Sequence, residues 1–292
     1  MPVGEFRNDQ ARDRFLSVYD DLVDRLWPSS SVPSDVDTSF GTTRVHRLGS
    51  GDGSPFVLLP GSGGPALMWH AYVGTLAASR PVIAIDTIGE PGPSVQTRPL
   101  TSGDEWSQWL RETLTALGVD QAHLVATSYG GWIALCHALR APQSVASLAL
   151  LDPGGFGQVS PKFLAWIIAG GLASFTPRPV RHALARPLRN VTLRDDNAMP
   201  LVKATFGFRR RHIMPTPLTD QELNRITAPT LLLLGGHSQL YNAREVAATV
   251  TTHMPHATAE IIPEAAHDVV LWRPEELAQR IVTFAANTPS RT

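Results

Sequence analysis

The chain opens on an amphipathic stripe. Phe15, Leu16, Tyr19, Leu22, Val23 and Leu26 recur at helical spacing, with Asp20, Asp21 and Asp24 between them, which predicts a helix over 9–27. Pro28-Ser29-Ser30-Ser31 ends it, and residues to about 39 read as a polar linker. The helix reads as a packing element against the rest of the chain. From Phe40 the period changes. Short apolar runs at 43–48, 56–59, 81–86, 123–127, 145–151, 230–234 and 259–262 read as strands. Helical patterns fall between them at 66–77, 106–117, 131–139, 243–253 and 274–286. Near-continuous runs such as Leu231-Leu232-Leu233-Leu234 are what a parallel sheet buried on both faces requires. Strand–helix alternation then predicts an α/β fold, a mostly parallel twisted sheet with helices on both faces.

One stretch interrupts the alternation. Residues 153–228 hold four helical patterns and no convincing strand, punctuated by Pro177, Pro179, Pro187, Pro200, Pro215 and Pro217. An insertion at the C-terminal end of a strand lies where α/β sheets bind ligands, so it reads as a helical cap inserted after the strand at 145–151. The organisation expected is residues 1–38 as helix and linker, 39–152 with 229–292 as the core, and 153–228 as the cap. Phe163 to Phe175 is apolar all round and is expected to be buried or to line a pocket. Gly170 and Gly171 within it suggest a close approach or a bend.

Composition narrows the function classes. The chain has 292 residues, 43% of them apolar, and a net charge of −1, which argues against a dedicated nucleic-acid binder. Its single cysteine, Cys136, excludes an internal disulfide or a cysteine-based zinc site and reads as a small buried residue. No metal or organic cofactor is expected. The first 30 residues carry six acids and no long apolar run, and Phe163–Phe175 is too short to span a bilayer. A cytoplasmic location without a membrane span is the expectation. Charge is uneven: residues 153–228 hold eleven Lys and Arg against four acids, a net +7 that leaves −8 elsewhere. A basic cap could steer an anionic or carrier-bound small molecule, or simply present a solvated face.

The chemistry concentrates at His123 to Trp132. An apolar strand runs into Ala126-Thr127-Ser128-Tyr129-Gly130, and a helix follows. This is the G-x-S-x-G nucleophile elbow with Ala126 at the first position. A serine on a sharp strand-to-helix turn exposes its Oγ, and the helix N-terminus aims its free N–H groups at the reacting centre. Leu58 to Gly64 is a second glycine-rich turn after a strand, and it lacks both phosphate-loop patterns. His267 stands after the last strand and before the closing helix. A neutral imidazole there can take the Ser128 proton and return it to a leaving group.

In these motifs the chain resembles the α/β-hydrolase family from about Thr42 to Ala286. In layout it is similar to small bacterial carboxylesterases of the naproxen-esterase type. The shared features are Leu26-Trp27-Pro28, Ser39-Phe40-Gly41, Met68-Trp69 after the glycine turn, Asp86 to Gly89, and Leu231–Gly235 leading to His237 and Tyr241. The resemblance implies a Ser128 nucleophile, His267 as general base, and an oxyanion hole from the backbone N–H groups of Ser62 and Tyr129. The family's usual loop histidine is Pro60 here. Trp69 and Trp166 are candidate walls for an acyl or aromatic group, and core packing alone would also explain them.

The third triad member departs from the family pattern. The acid usually follows the next-to-last strand in Gly-x-x-Asp/Glu, but the sequence reads Gly235-Gly236-His237-Ser238. One alternative is Asp152, at the preceding strand end, a place where some branches such as haloalkane dehalogenases carry their acid; its other reading is a cap for the turn into the insertion. A second is His267 working without a carboxylate, and Glu245 is a third choice. Three functions stay open. One is a hydrolase of esters, thioesters or lactones acting through a Ser128 acyl-enzyme. Another is a non-hydrolytic cyclase, lyase or epimerase on the same scaffold, motivated by Ser238. The last is a non-catalytic binding protein.

Overall fold

A computed structural model describes residues 2–211 and 213–288. Met1 and the last four positions of the expected core segment, 289–292, lie outside the described residues. Among the described residues the main sheet has nine strands, eight of them on one path: β1 (Val32–Thr38), β2 (Gly41–Leu48), β3 (Phe56–Leu59), β4 (Val82–Ile85), β5 (Ala122–Thr127), β6 (Val145–Leu151), β7 (Thr230–Gly235) and β8 (Ala257–Ile262). Their order across the sheet is β8-β7-β6-β5-β3-β4-β2-β1, with Val95–Gln96 paired to the start of β2. All neighbours from β8 to β4 run parallel, while β2 is antiparallel to both β4 and β1.

The strand sequences explain the layering. Every residue of β3, β4, β5, β6 and β7 is buried, as a sheet covered on both faces demands. Leu232, Leu233 and Leu234 are fully enclosed. Each such side chain contributes roughly 1.5–3 kcal/mol relative to exposure. One face is covered by α3 (Gly103–Ala116), α4 (Ser128–Arg140) and α9 (Ala243–His253), the other by α1 (Asp9–Leu26), α2 (His70–Ala77) and α10 (Pro274–Ala286). Helix α1 starts on Asn8, whose side chain accepts from the Ala11 N–H, and buries Phe15, Tyr19 and Leu22 along its apolar stripe.

The linker expected before residue 39 is a strand. Val32–Thr38 pairs along its whole length with β2. Serine, proline and aspartate are weak strand formers, and only Val36 in this run is buried, so no alternation showed. Pro33 is tolerated because β1 is the sheet edge, where a proline is accommodated.

Between β6 and β7 lies the helical insertion, with α5 (Pro161–Ser174), α6 (Arg178–Ala185), α7 (Met199–Ala204) and α8 (Asp220–Asn224). A two-residue ladder joins its Phe208–Arg209 to Glu5–Phe6, so the amino-terminal arm is tied to it. Its own apolar centre is small: Ala173, Ala185 and Leu193. Burial of the whole Phe163–Phe175 run does not occur. Leu164, Ile167, Ile168, Leu172 and Phe175 are 47–71% exposed. Only one side of α5 meets protein, and Gly170 is the close approach, since a Cβ there would stand 2.8 Å from Asn190 Nδ2. No described helix is long and apolar enough to cross a membrane.

Candidate active site

The site is assembled at the C-terminal ends of β3, β5, β6 and β7. Ser128 ends the β5 turn with φ +50, a left-handed backbone that a non-glycine residue adopts only when its surroundings enforce it. The enforcement is steric and polar. A Cβ on Gly130 would come 2.4 Å from the Pro60 carbonyl oxygen and 2.5 Å from that of Leu59, so only glycine lets α4 approach β3 this closely. The Gly154 N–H donates to the Ser128 carbonyl oxygen at 2.8 Å, and Thr127 Oγ1 donates to the Leu151 carbonyl oxygen at 2.9 Å. The elbow is thereby fixed to the end of β6.

Asp152 stands at that end, fully buried and also left-handed, with φ +44. Its Oδ1 accepts from the Gly235 N–H at 2.9 Å. Its Oδ2 accepts from Ser238 Oγ at 2.5 Å and from His267 Nδ1 at 2.7 Å. A carboxylate is acceptor-only, so Nδ1 carries the proton and Nε2 is left to accept from Ser128 Oγ, 2.9 Å away. The structure thus brings Ser128, His267 and Asp152 into one hydrogen-bonded line. Glu245 is not in it; its Oε1 accepts from Asn242 Nδ2 at the start of α9. Ser238 occupies the position where a carboxylate was expected and donates to the carboxylate that reaches in from β6. The Tyr241 phenol faces Asp152 too, and burial, reinforced by that charge, holds its pKa well above the ordinary range.

Tyr129 follows Ser128 at the N-terminus of α4, and Ser62 follows Gly61, which packs on Ser128, a Cβ on that glycine standing 3.2 Å from the serine Cβ. Two buried acids grip this loop. Glu90 Oε2 accepts from the Gly63 N–H and Asp86 Oδ1 from the Ala66 N–H, both at 2.7 Å. Asp86 Oδ2 accepts from Tyr19 Oη at 2.8 Å, and the Tyr19 oxygen is 2.7 Å from His46 Nε2. The single Tyr19 proton is committed to Asp86, so His46 Nε2 is the donor in the second contact. The insertion contributes Arg210, whose Nε is 3.5 Å from Glu90 Oε2 and whose guanidinium lies over Gly63.

The two tryptophans part company. Trp166 is on the inner side of α5, with its ring 6.0 Å from that of His267 and its Nε1 donating to the Leu188 carbonyl oxygen at 2.8 Å. Trp69 is not a wall. It is fully buried, edge-on to Tyr72 at 5.1 Å, because the turn Ala66–Trp69 places it beneath the loop in the apolar layer under α1 and α2. Phe163, at the start of the apolar run expected to be buried or to line a pocket, stands edge-on to His267 at 4.7 Å. Glu90, Arg210 and Asp268 were not singled out in the sequence. Asp268 Oδ2 accepts from the Thr192 N–H at 3.1 Å, joining the histidine loop to the insertion, and burial raises its pKa. An acid just past a buried strand and beside a glycine turn was the available signal for Glu90; none marked Arg210. The Cys136 thiol is buried, and burial pushes its pKa up to about 12, so it is no nucleophile. Among the described residues no cluster of His, Cys, Asp or Glu could hold a metal ion. A depression of about 520 Å³ lies at the opposite ends of the strands, beside Pro55 and Pro81, away from Ser128.

Three kinds of likeness bear on this geometry. The profile of the alpha/beta hydrolase family matches residues 56–280. Carboxylesterase YbfK of Bacillus subtilis is 27% identical over 290 residues, covering 93% of each chain. A second carboxylesterase of that organism, nap, is 26% identical over 93% of this chain and 92% of its own. The crystal structure of naproxen esterase from Bacillus subtilis superposes with a TM-score of 0.85, over 95% of this chain and 99% of that one, at 23% identity, a likeness of fold.

Proposed function

The chain belongs to the α/β-hydrolase family, and from that premise we propose that it is a serine ester hydrolase with Ser128, His267 and Asp152 as its catalytic triad. The observation that carries the reading is the line of contacts from Asp152 Oδ2 through His267 to Ser128 Oγ, 2.7 and 2.9 Å. The carboxylesterase relatives, alike over nearly the full length, support the same reaction class.

The chemistry follows from the protonation pattern. Ser128 Oγ attacks the ester carbonyl carbon while its proton passes to His267 Nε2. The imidazolium is stabilised by the Asp152 carboxylate, which keeps its own charge. The carbonyl oxygen becomes an oxyanion and meets the backbone N–H groups of Ser62 and Tyr129, each donor worth about 3 kcal/mol. As the tetrahedral species collapses, the leaving alcohol takes the proton from Nε2 and an acyl-serine remains. Water, deprotonated by Nε2, attacks that acyl carbon; the acyl C–Oγ bond then breaks, Nε2 returns the proton to Ser128 Oγ, and the acid leaves. Thioesters and lactones fit the same scheme. Phe163 and Trp166 form an apolar wall beside His267, and the insertion is the cap.

The non-hydrolytic alternative drew its motive from a missing acid at Ser238. With Asp152 on His267, that motive is gone. A fluorophosphonate probe tests the proposal. It should label the wild-type protein at Ser128, seen by peptide mass spectrometry, and leave Ser128→Ala unlabelled and inert towards p-nitrophenyl butyrate. Equal labelling of both proteins would overturn it.

A further inference from the structure

Helix α5 has two apolar sides with different partners. Phe163 and Trp166 face His267, and Gly170, Ala173 and Ser174 are buried beneath it. Leu164, Ile168, Leu172 and Phe175 recur at i, i+4, i+8 and i+11 on the other side and are 59%, 54%, 71% and 58% exposed. Phe206, 45% exposed, extends this stripe, edge-on to Phe175 at 5.0 Å. A contiguous row of large apolar side chains in water marks a surface that something covers.

The surrounding charge says what. Residues 161–211 contain ten Lys and Arg and only two acids, a net charge of +8 in a chain whose total is −1. Lys203 is exposed on α7, three residues before Phe206, and Arg178 is exposed three residues beyond Phe175. Arg186, Arg189 and Arg194 are exposed as well. Of the two acids, Asp196 is already matched by Arg178 and Arg181, and Asp195 accepts from the Asn197 and Ala198 N–H groups. A second copy docking through this face would bring two such basic segments together, against Coulomb repulsion.

We propose that the outer face of α5, with Phe175 and Phe206, docks the protein on an anionic lipid surface. The apolar stripe enters the boundary between headgroups and acyl chains while exposed basic residues of the same segment, Lys203 among them, meet the negative headgroups. This goes beyond the esterase reading and does not depend on it. Its consequence for that reading is a route: the helix that touches the lipid on one side carries Phe163 and Trp166 against His267 on the other, so esters dissolved in the lipid are delivered close to the site.

The test is co-sedimentation with vesicles of phosphatidylglycerol mixed with phosphatidylcholine, against vesicles of phosphatidylcholine alone. The full chain should bind the anionic vesicles more tightly, and raised salt should weaken it. The triple variant Leu164→Ser, Ile168→Ser, Leu172→Ser should lose at least about tenfold in partitioning, since each side chain is a substantial apolar burial. Lys203→Glu should lose about fivefold or more. Both variants should keep wild-type kcat/KM on a water-soluble ester and an unchanged Tm, which separates docking from folding. Ser128→Ala should bind vesicles like wild type, so failure of the esterase reading would leave this result legible. Equal binding to both vesicle types, or no loss in the triple variant, overturns the proposal. So does a concentration-dependent dimer in light scattering that the triple variant abolishes, which would make the face a homodimer contact.

Discussion

Strand β7 and helix α5 have nearly the same apolar content and opposite surroundings. Leu231 to Leu234 are at most 4% exposed, with ladders to β6 and β8 and helices above and below. In α5, Leu172 is 71% exposed and Leu164 59%. A run without polar positions states that its surface must be covered. It does not state by what. For the strand the cover is the chain's own helices, four directions of contact fixed by the sheet. For the helix the chain supplies one side only, the one against His267.

The contrast implies that the core and its strand ends are intolerant and the insertion forgiving. The largest test is Asp152→Asn against Trp166→Phe on one activated ester. The first should lower kcat by about 10⁴, roughly 5.5 kcal/mol, by favouring the wrong imidazole tautomer and leaving the imidazolium unsupported. The second keeps an apolar ring beside His267 and should shift KM, with less than about a tenfold change in kcat. Comparable losses would erase the distinction.

Next in size is stability measured by urea unfolding. Leu232→Ala should cost about 2–5 kcal/mol through lost burial and a cavity, and Leu172→Ala no more than about 0.5 kcal/mol. Acid should act through the same core. His123 is hydrogen-bonded to Ser147 Oγ and His137 sits between Ser107 and Ser144, and burial lowers both pKa values to about 4. The unfolded chain takes up these protons below about pH 6.5, where the native state refuses them, so stability is full above that pH and falls as the pH drops towards 4. Between pH 7 and pH 5 the expected loss is about 2–4 kcal/mol. A flat profile over that range would mean these imidazoles are less enclosed than their neighbours imply. The smallest effect sharpens the role of Ser238. Ser238→Ala removes one donor from Asp152 and leaves the Gly235 N–H in place, so kcat should fall by about fivefold, about 1 kcal/mol. A loss as large as that of Asp152→Asn would make the serine an equal partner in holding the base.

Much of this architecture could be read from the chain. The strands from β3 to β7 were visible because burial on both faces leaves uninterrupted apolar runs, and Ser128 because a serine between a buried strand and a helix is chemically conspicuous. Ala126 in place of the usual glycine did no harm, since its methyl packs in the core while Gly130 carries the close approach. Asp152 was only one option among several, because a strand-end carboxylate also serves as a turn starter. Which side of His267 the acid reaches from depends on the packing of β6 beside β7. Strand β1 was hidden by its edge position, and Trp69 looked like Trp166 because sequence does not tell which side of a turn faces the sheet. Arg210 was out of reach, since it meets Glu90 only when the insertion folds back over the glycine loop.

The hydrogen-bonded line at the site has a temporal meaning as well. Ser128 and His267 are 139 residues apart, and Asp152 and His267 115 apart. Contacts this remote in sequence close late, after the loops between them have given up their freedom. A partly folded chain can present the elbow and the glycine loop, yet hold no base to activate the serine. Hydrolytic competence therefore requires the carboxy-terminal strands to be in place, and regain of turnover after denaturation should report their docking more directly than any signal from the helices.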